Sequence, residues 1–207
     1  MLQILVSSII ISKTNLQLLK YESRKDEIIQ TSAILFKKKG FSAVTMRDIA
    51  KAMGIKAASL YNHISSKQEI LSNIIISLAE EFTSGMEGIL VANESNIIKL
   101  NKIINLHVDI TTNNQFGMAS LNNDWMHLDD KLEYYLKLRR DYEDNFRTII
   151  NEGINEQELI DSNPDVMLFS ILSTLRSLYI WIPSKEDLIP ETLASNLSSV
   201  LLNGIIK

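Results

Sequence analysis

Residues 45–63 read TMRDIAKAMGIKAASLYNH, and the fold turns on this stretch. Thr45 carries the hydroxyl that caps a helix start. Met46, Ile49, Ala50 and Met53 follow at i, i+3, i+4 and i+7, the spacing of one helical face. Gly54 ends that helix after two turns, because glycine enters left-handed backbone without a Cβ penalty. Ala57, Leu60, Tyr61 and Ile64 repeat the spacing in a second short helix. Two short helices locked across a glycine turn form the helix-turn-helix pattern, whose second helix lies in the major groove of a duplex. That groove is about 12 Å wide and admits one helix. The face of the second helix not used for packing carries Lys56, Ser59, Asn62 and His63, hydrogen-bonding groups suited to base edges and phosphates. Arg47, Lys51 and Lys67 flank it.

Upstream, Arg24 to Lys38 places Ile29, Ala33 and Phe36 on one helical face, with Gly40 as the stop. The run Lys37–Lys39 reads as a solvated helix end. Downstream, Ser66-Lys67-Gln68-Glu69 is a capping box, with Glu69 expected to reach back to Ser66. A long helix then runs to about Val91, weakened at its far end by Gly85 and Gly88. Further helices are predicted near 95–112, 115–126, 129–153, 164–182 and 190–204, giving an all-α chain of about nine helices. Pro164 and Pro190 stand at first helical positions. The stretch 166–182 is apolar on nearly every side, which implies burial on more than one side and suggests a second copy of the chain as a neighbour.

The 207 residues suffice for a buried core, and 45% hydrophobic with 22% charged residues is ordinary for a globular protein. There is no cysteine, which excludes disulfide scaffolds, thiolate metal sites and thiol nucleophiles together. No glycine-rich phosphate loop, GxSxG elbow or HExxH occurs, so an enzyme reading has no nucleophile–base pair to name. His107 with Asp109 and Asp124 with His127 are too sparse to predict a metal site. The net charge of −4 hides an asymmetry: residues 1–70 hold 11 Lys/Arg and 5 Asp/Glu, residues 71–207 hold 10 and 20. A basic first third on an acidic remainder points to a polyanion partner for the first third. Met1–Ile11, MLQILVSSIII, lacks a positive leader and a small-residue cleavage site, and the uncharged run ends at Lys13. It is read as an extra helix packing on the body or as residues upstream of the natural start. No other stretch is expected to approach membrane-spanning length.

Residues 24–75 resemble the DNA-binding domain of the TetR family of bacterial transcriptional regulators. The resemblance rests on Ala33, Phe36, Gly40, Phe41, Thr45, Met46, Asp48, Ile49, Ala50, Gly54, Ile55, Ser59, Leu60, Tyr61, Ser66, Lys67 and Leu71 in uninterrupted register. Ala58 stands where glycine is frequent and Ile64 where phenylalanine is frequent. The resemblance implies a double-stranded DNA operator as partner. Thr45 would cap the second helix and touch a phosphate; Lys56, Ala57, Ser59 and Asn62 would lie towards the bases. Tyr61 and His63 would approach the backbone, Tyr61 with core packing as its competing reading. Lys67 would hold a phosphate and Arg47 would flank the site. The implied organisation is an extension over 1–22 of uncertain role, a helix-turn-helix domain over 23–70 and a ligand-binding and dimerisation domain over 71–207.

The acidic remainder resembles the family's helical effector domain in architecture. Trp125, the Arg-rich helix with Arg139, Arg140 and Arg147, the run Ile150–Gly153 and Trp181 resemble the branch that senses fatty acyl-CoA and related lipids. Composition nominates a pocket from His107, Phe116, Met118, Trp125, Met126, Tyr135, Leu138, Tyr142, Phe146, Met167 and Ile171, because methionine and aromatic side chains adapt to irregular apolar ligands. Arg176 is a charge inside an apolar helix, either for an anionic head group or for a carboxylate at a dimer surface. The implied protein is a cytoplasmic homodimeric repressor released by a small apolar or acyl-CoA-like effector, with no cofactor and no membrane partner. Residues 66–91 would be the lever between pocket and DNA. An activator of the same fold, or a helical interaction module without DNA binding, fits the same helices.

Overall fold

The computed structural model describes residues 23–185 and 189–206. The expectation for residues 1–22 lies outside them. The described residues are helical, without strands; Leu159 and Ile206 form one isolated antiparallel bridge.

Helix α1 spans Arg24–Lys39, capped by the Ser23 hydroxyl. Ile28, Ala33 and Phe36 turn inward. Helices α2 (Met46–Ala52) and α3 (Ala57–Tyr61) form the helix-turn-helix, with Gly54 at φ +68° between them. Helix α4, Lys67–Leu90, starts in this unit and continues unbroken into the body, so the two domains share one helix. Its Ser66 cap forms as predicted, accepting from the Glu69 amide at 3.0 Å. The Glu69 carboxylate reaches one residue further than expected, accepting from the Ser65 amide and hydroxyl, both at 2.7 Å. The helix continues through Gly85 and Gly88 to Leu90. A Cβ at Gly85 would lie 2.6 Å from Leu106 Cδ1, so glycine allows the neighbouring helix to approach closely.

The body adds α5 (Asn96–Asn113), α6 (Gln115–Asn123), α7 (Leu132–Asn155), α8 (Pro164–Arg176), the single turn α9 (Leu178–Trp181) and α10 (Pro190–Leu202). Glu158, just beyond α7, caps α5 by accepting from the amides of Asn96 at 2.7 Å and Ile97 at 3.3 Å. The predicted helix 115–126 breaks at Asp124 into 3-10 turns at Trp125–His127 and Asp129–Lys131, which delays the start of α7 to Leu132. One continuous core runs from Ile28 and Phe36 through Ile75 and Met86 to Phe146 and Leu175.

The span Pro164–Ser184 is long and apolar enough to cross a membrane by composition alone, contrary to the expectation that no such stretch exists. Here Leu168, Ile171, Leu172 and Leu175 pack into the core, and α8 ends at Arg176. Its other face is exposed: Val166, Phe169 at 70%, Ile180 and Trp181 are open, as is Val200 on α10 at 76%.

Candidate nucleic-acid interface and ligand cavity

Thr45 and Asp48 set the start of α2. The Thr45 hydroxyl accepts from the Asp48 amide at 3.2 Å, and Asp48 Oδ2 accepts from the Thr45 amide at 2.9 Å and its hydroxyl at 2.5 Å. These bonds hold the Asp48 carboxyl below its usual range. Leu60 and Ile64 are fully buried beneath α3, so the helix is pinned by one narrow stripe. Lys56, Ser59, Asn62 and His63 lie exposed on the outer side, with Arg47 exposed on α2 and Ala57 half-buried at the start of α3. Tyr61 departs from the apolar face that its spacing gave it: 54% of it is exposed. Position 61 falls too far round a five-residue helix to reach the core that Leu60 fills.

Lys67 has a part that the sequence did not suggest. Its ammonium donates to the carbonyls of Phe41 and Val44, both at 2.8 Å, and lies 4.2 Å from the centre of the Phe41 ring. It thus clamps the α1–α2 loop to the start of α4, with burial lowering its pKa. Lys37 is also no simple solvated end. It is half-buried, 5.2 Å over the Phe116 ring on α6, whereas Lys38 and Lys39 are exposed. Helix α1 packs along α6, and the His127 ring stacks on Phe41 at 5.2 Å between centroids. The helix-turn-helix unit is therefore tied to the body through α6 and its following turn as well as through α4.

The body also holds a partly open cavity of about 310 Å³. Of the residues predicted for it, His107, Met118, Trp125, Tyr135, Leu138, Tyr142 and Arg176 line it. Phe116, Met126, Phe146, Met167 and Ile171 do not. Phe116 faces Lys37, Met126 is exposed because the helix breaks at Asp124, and Phe146, Met167 and Ile171 are ordinary core. The wall also contains Ala79 and Phe82 from α4, Leu121 and Asn122 from α6, Arg139 from α7 and Leu172 from α8. Ala79 and Phe82 carried no signal beyond the apolar stripe of a long helix. Arg139 lay within the noted Arg-rich helix but was not assigned to the pocket.

His107 Nε2 lies 3.0 Å from the Tyr142 hydroxyl, and its Nδ1 has no partner among the described residues. Burial, reinforced by the Arg176 cation, pushes the His107 pKa down to about 3, so the imidazole is neutral. Burial raises the Tyr142 phenol, which is likewise neutral. Arg176 donates to Glu143 Oε1 at 2.5 Å and Arg139 donates to the same oxygen at 3.1 Å. Burial works against the Glu143 carboxylate, but the two guanidiniums hold its pKa below the usual value. Arg139 also lies 5.9 Å from the centre of the Trp125 ring.

A helix-turn-helix unit with an outward polar strip, mounted on a helical body that holds a cavity, defines a DNA-binding regulator of the helix-turn-helix class. Residues 28–74 match the family model described as bacterial regulatory proteins, tetR family. Residues 93–205 match a tetracyclin repressor-like C-terminal domain. Together they cover well over half of the chain, which belongs to the TetR family of transcriptional regulators. It is similar to the HTH-type transcriptional repressor KstR2 of Rhodococcus jostii, at 20% identity over 185 residues, 88% of this chain and 91% of that one. The ketosteroid transcriptional regulator KstR2 of Mycobacterium tuberculosis superposes with a TM-score of 0.85 at 20% identity, covering 91% of this chain and 97% of the other. AibR in complex with isovaleryl coenzyme A and operator DNA superposes at 0.73 and 19% identity, covering 86% and 97%.

Proposed function

We propose that this chain is a repressor that binds a near-palindromic operator as a homodimer and is released by a small effector in the cavity. The observation that carries the reading is the exposed strip Lys56, Ser59, Tyr61, Asn62 and His63 above buried Leu60 and Ile64. Packing within the chain accounts for none of these outward groups. Lys56, Ala57, Ser59 and Asn62 read base edges, while Thr45, Arg47, Tyr61 and His63 approach phosphates. Lys67 directs any remaining donor to the same backbone while it holds the loop. The exposed apolar side chains of α8–α10 meet their counterparts in a second copy, because a patch of this kind on a globular chain marks an interface. Repression, rather than activation, is supported by the repressors among the relatives. An apolar or acyl-CoA-like effector is supported by the Trp125, Phe82 and Met118 wall and by the isovaleryl coenzyme A bound to AibR. As a regulator of operator DNA, the protein acts in the cytoplasm.

Effector binding releases DNA only to the extent that it favours the dimer geometry that no longer fits the operator. Helix α4 contributes Ala79 and Phe82 to the wall, and the turn after α6 contributes Trp125 two residues before His127 meets Phe41. Both routes are short enough to carry the shift. The test is selection of bound duplexes from a random-sequence pool followed by footprinting. Two related half-sites, about 10 base pairs apart centre to centre or a multiple of it, are expected. A single unpaired half-site, or no enriched sequence, overturns the reading.

A further inference from the structure

The cavity wall holds two guanidinium groups and no carboxylate. Glu143 joins Arg139 and Arg176 through one shared oxygen, so the trio retains one uncompensated positive charge. Each guanidinium uses a single donor in this contact, and the rest of each planar fork remains to meet an oxyanion. The remaining wall is apolar except for Asn122, Tyr135, Tyr142 and His107. The buried His107 Nδ1 is without a partner among the described residues. At roughly 30 Å³ per water, 310 Å³ holds about ten water-sized volumes. That is room for a ring or a short chain.

We infer that the effector is an anionic amphiphile: a short apolar skeleton lies between Phe82, Met118 and Trp125, and its anionic group lies against Arg139 and Arg176. This rests on the cavity being the effector site and goes beyond it by fixing the ligand's charge. The anion has two chemical sources, the carboxylate of a free acid or the phosphates of a thioester whose nucleotide lies outside the cavity.

The test titrates the full-length protein calorimetrically, without DNA, with phenylacetate, 4-phenylbutyrate and octanoate. Each is compared with its primary amide and its coenzyme A thioester. At least one anionic form is expected to bind about tenfold or more tightly than its amide, as a charge-assisted contact requires. Preference for the acid assigns the carboxylate, and preference for the thioester assigns the phosphates; either supports the inference. Arg176→Gln should erase the preference while amide binding persists. Glu143→Gln, which removes the competing carboxylate, should widen it, and decides the matter if the arginine variant does not fold. Amides that bind as well as anions on all three skeletons overturn the inference, as do anions that do not bind or a preference that Glu143→Gln narrows. Because operator is absent, failure here leaves operator binding to be judged separately, and failure of operator binding leaves this result standing.

Discussion

Leu60 and Tyr61 are neighbours in sequence and opposites in surroundings, one fully buried and the other 54% exposed. The periodicity of α3 gave both to the apolar face; the turn of about 100° between consecutive helical residues carries Tyr61 off the stripe that Leu60 fills. Tyr61→Ala should therefore leave stability within about 0.5 kcal/mol of the parent, the range for surface substitutions, while weakening operator binding. Chemical denaturation and gel mobility shift check the two halves. Lys67→Met is the contrasting case. It removes two carbonyl contacts and the contact with the Phe41 ring, and should cost about 1–3 kcal/mol in urea melts. His107 makes a pH prediction. Its folded pKa, about 3, lies below the unfolded value of 6.5. The unfolded chain thus binds more protons between those values. Its contribution is complete above about pH 6.5 and falls as pH drops towards 3, with a slope approaching 1.4 kcal/mol per unit. His107→Gln should flatten that part of the stability profile, and an unchanged slope would assign it to other groups. The pocket was legible where residue type was unusual, as in Trp125, Met118 and Arg176. It was not legible at Ala79 or Phe82, which look like any buried stripe, nor at Met126, which a helix break turns outward.

At the scale of elements, the helix-turn-helix could be read almost entirely from spacing, because Gly54, the Thr45 cap and the 3–4 periodicity are local. The break at Asp124 could not, because the apolar pattern continues across it, whereas α6 itself is held against α1 and α4. The close approach at Gly85 was hidden for the same reason, because it depends on Leu106 on another helix. Gly85→Val should destabilise the chain by about 1–3 kcal/mol through overpacking, more than its gain in helix propensity. Differential scanning calorimetry would show a lowered Tm, and an unchanged Tm would mean that the two helices separate at no cost.

For the whole molecule, the charge asymmetry of the sequence matches the split between a helix-turn-helix unit and an acidic body, although the helix they share makes the boundary at residue 70 nominal. The apolar run 166–182, expected to be buried on more than one side, packs one side into the core of the single chain and leaves the other exposed. Phe169→Glu should convert the proposed dimer to a monomer in sedimentation velocity while circular dichroism keeps its helical signal. Operator binding is tested most directly by a fluorescence-anisotropy titration at several salt concentrations, with the parent and Tyr61→Ala compared as dimers of confirmed mass. For the parent, log K should fall linearly with log salt, with one unit of slope for about each phosphate neutralised, and the variant should bind more weakly while staying dimeric. Affinity indifferent to salt, or a variant that binds as the parent does, would contradict the proposed operator binding.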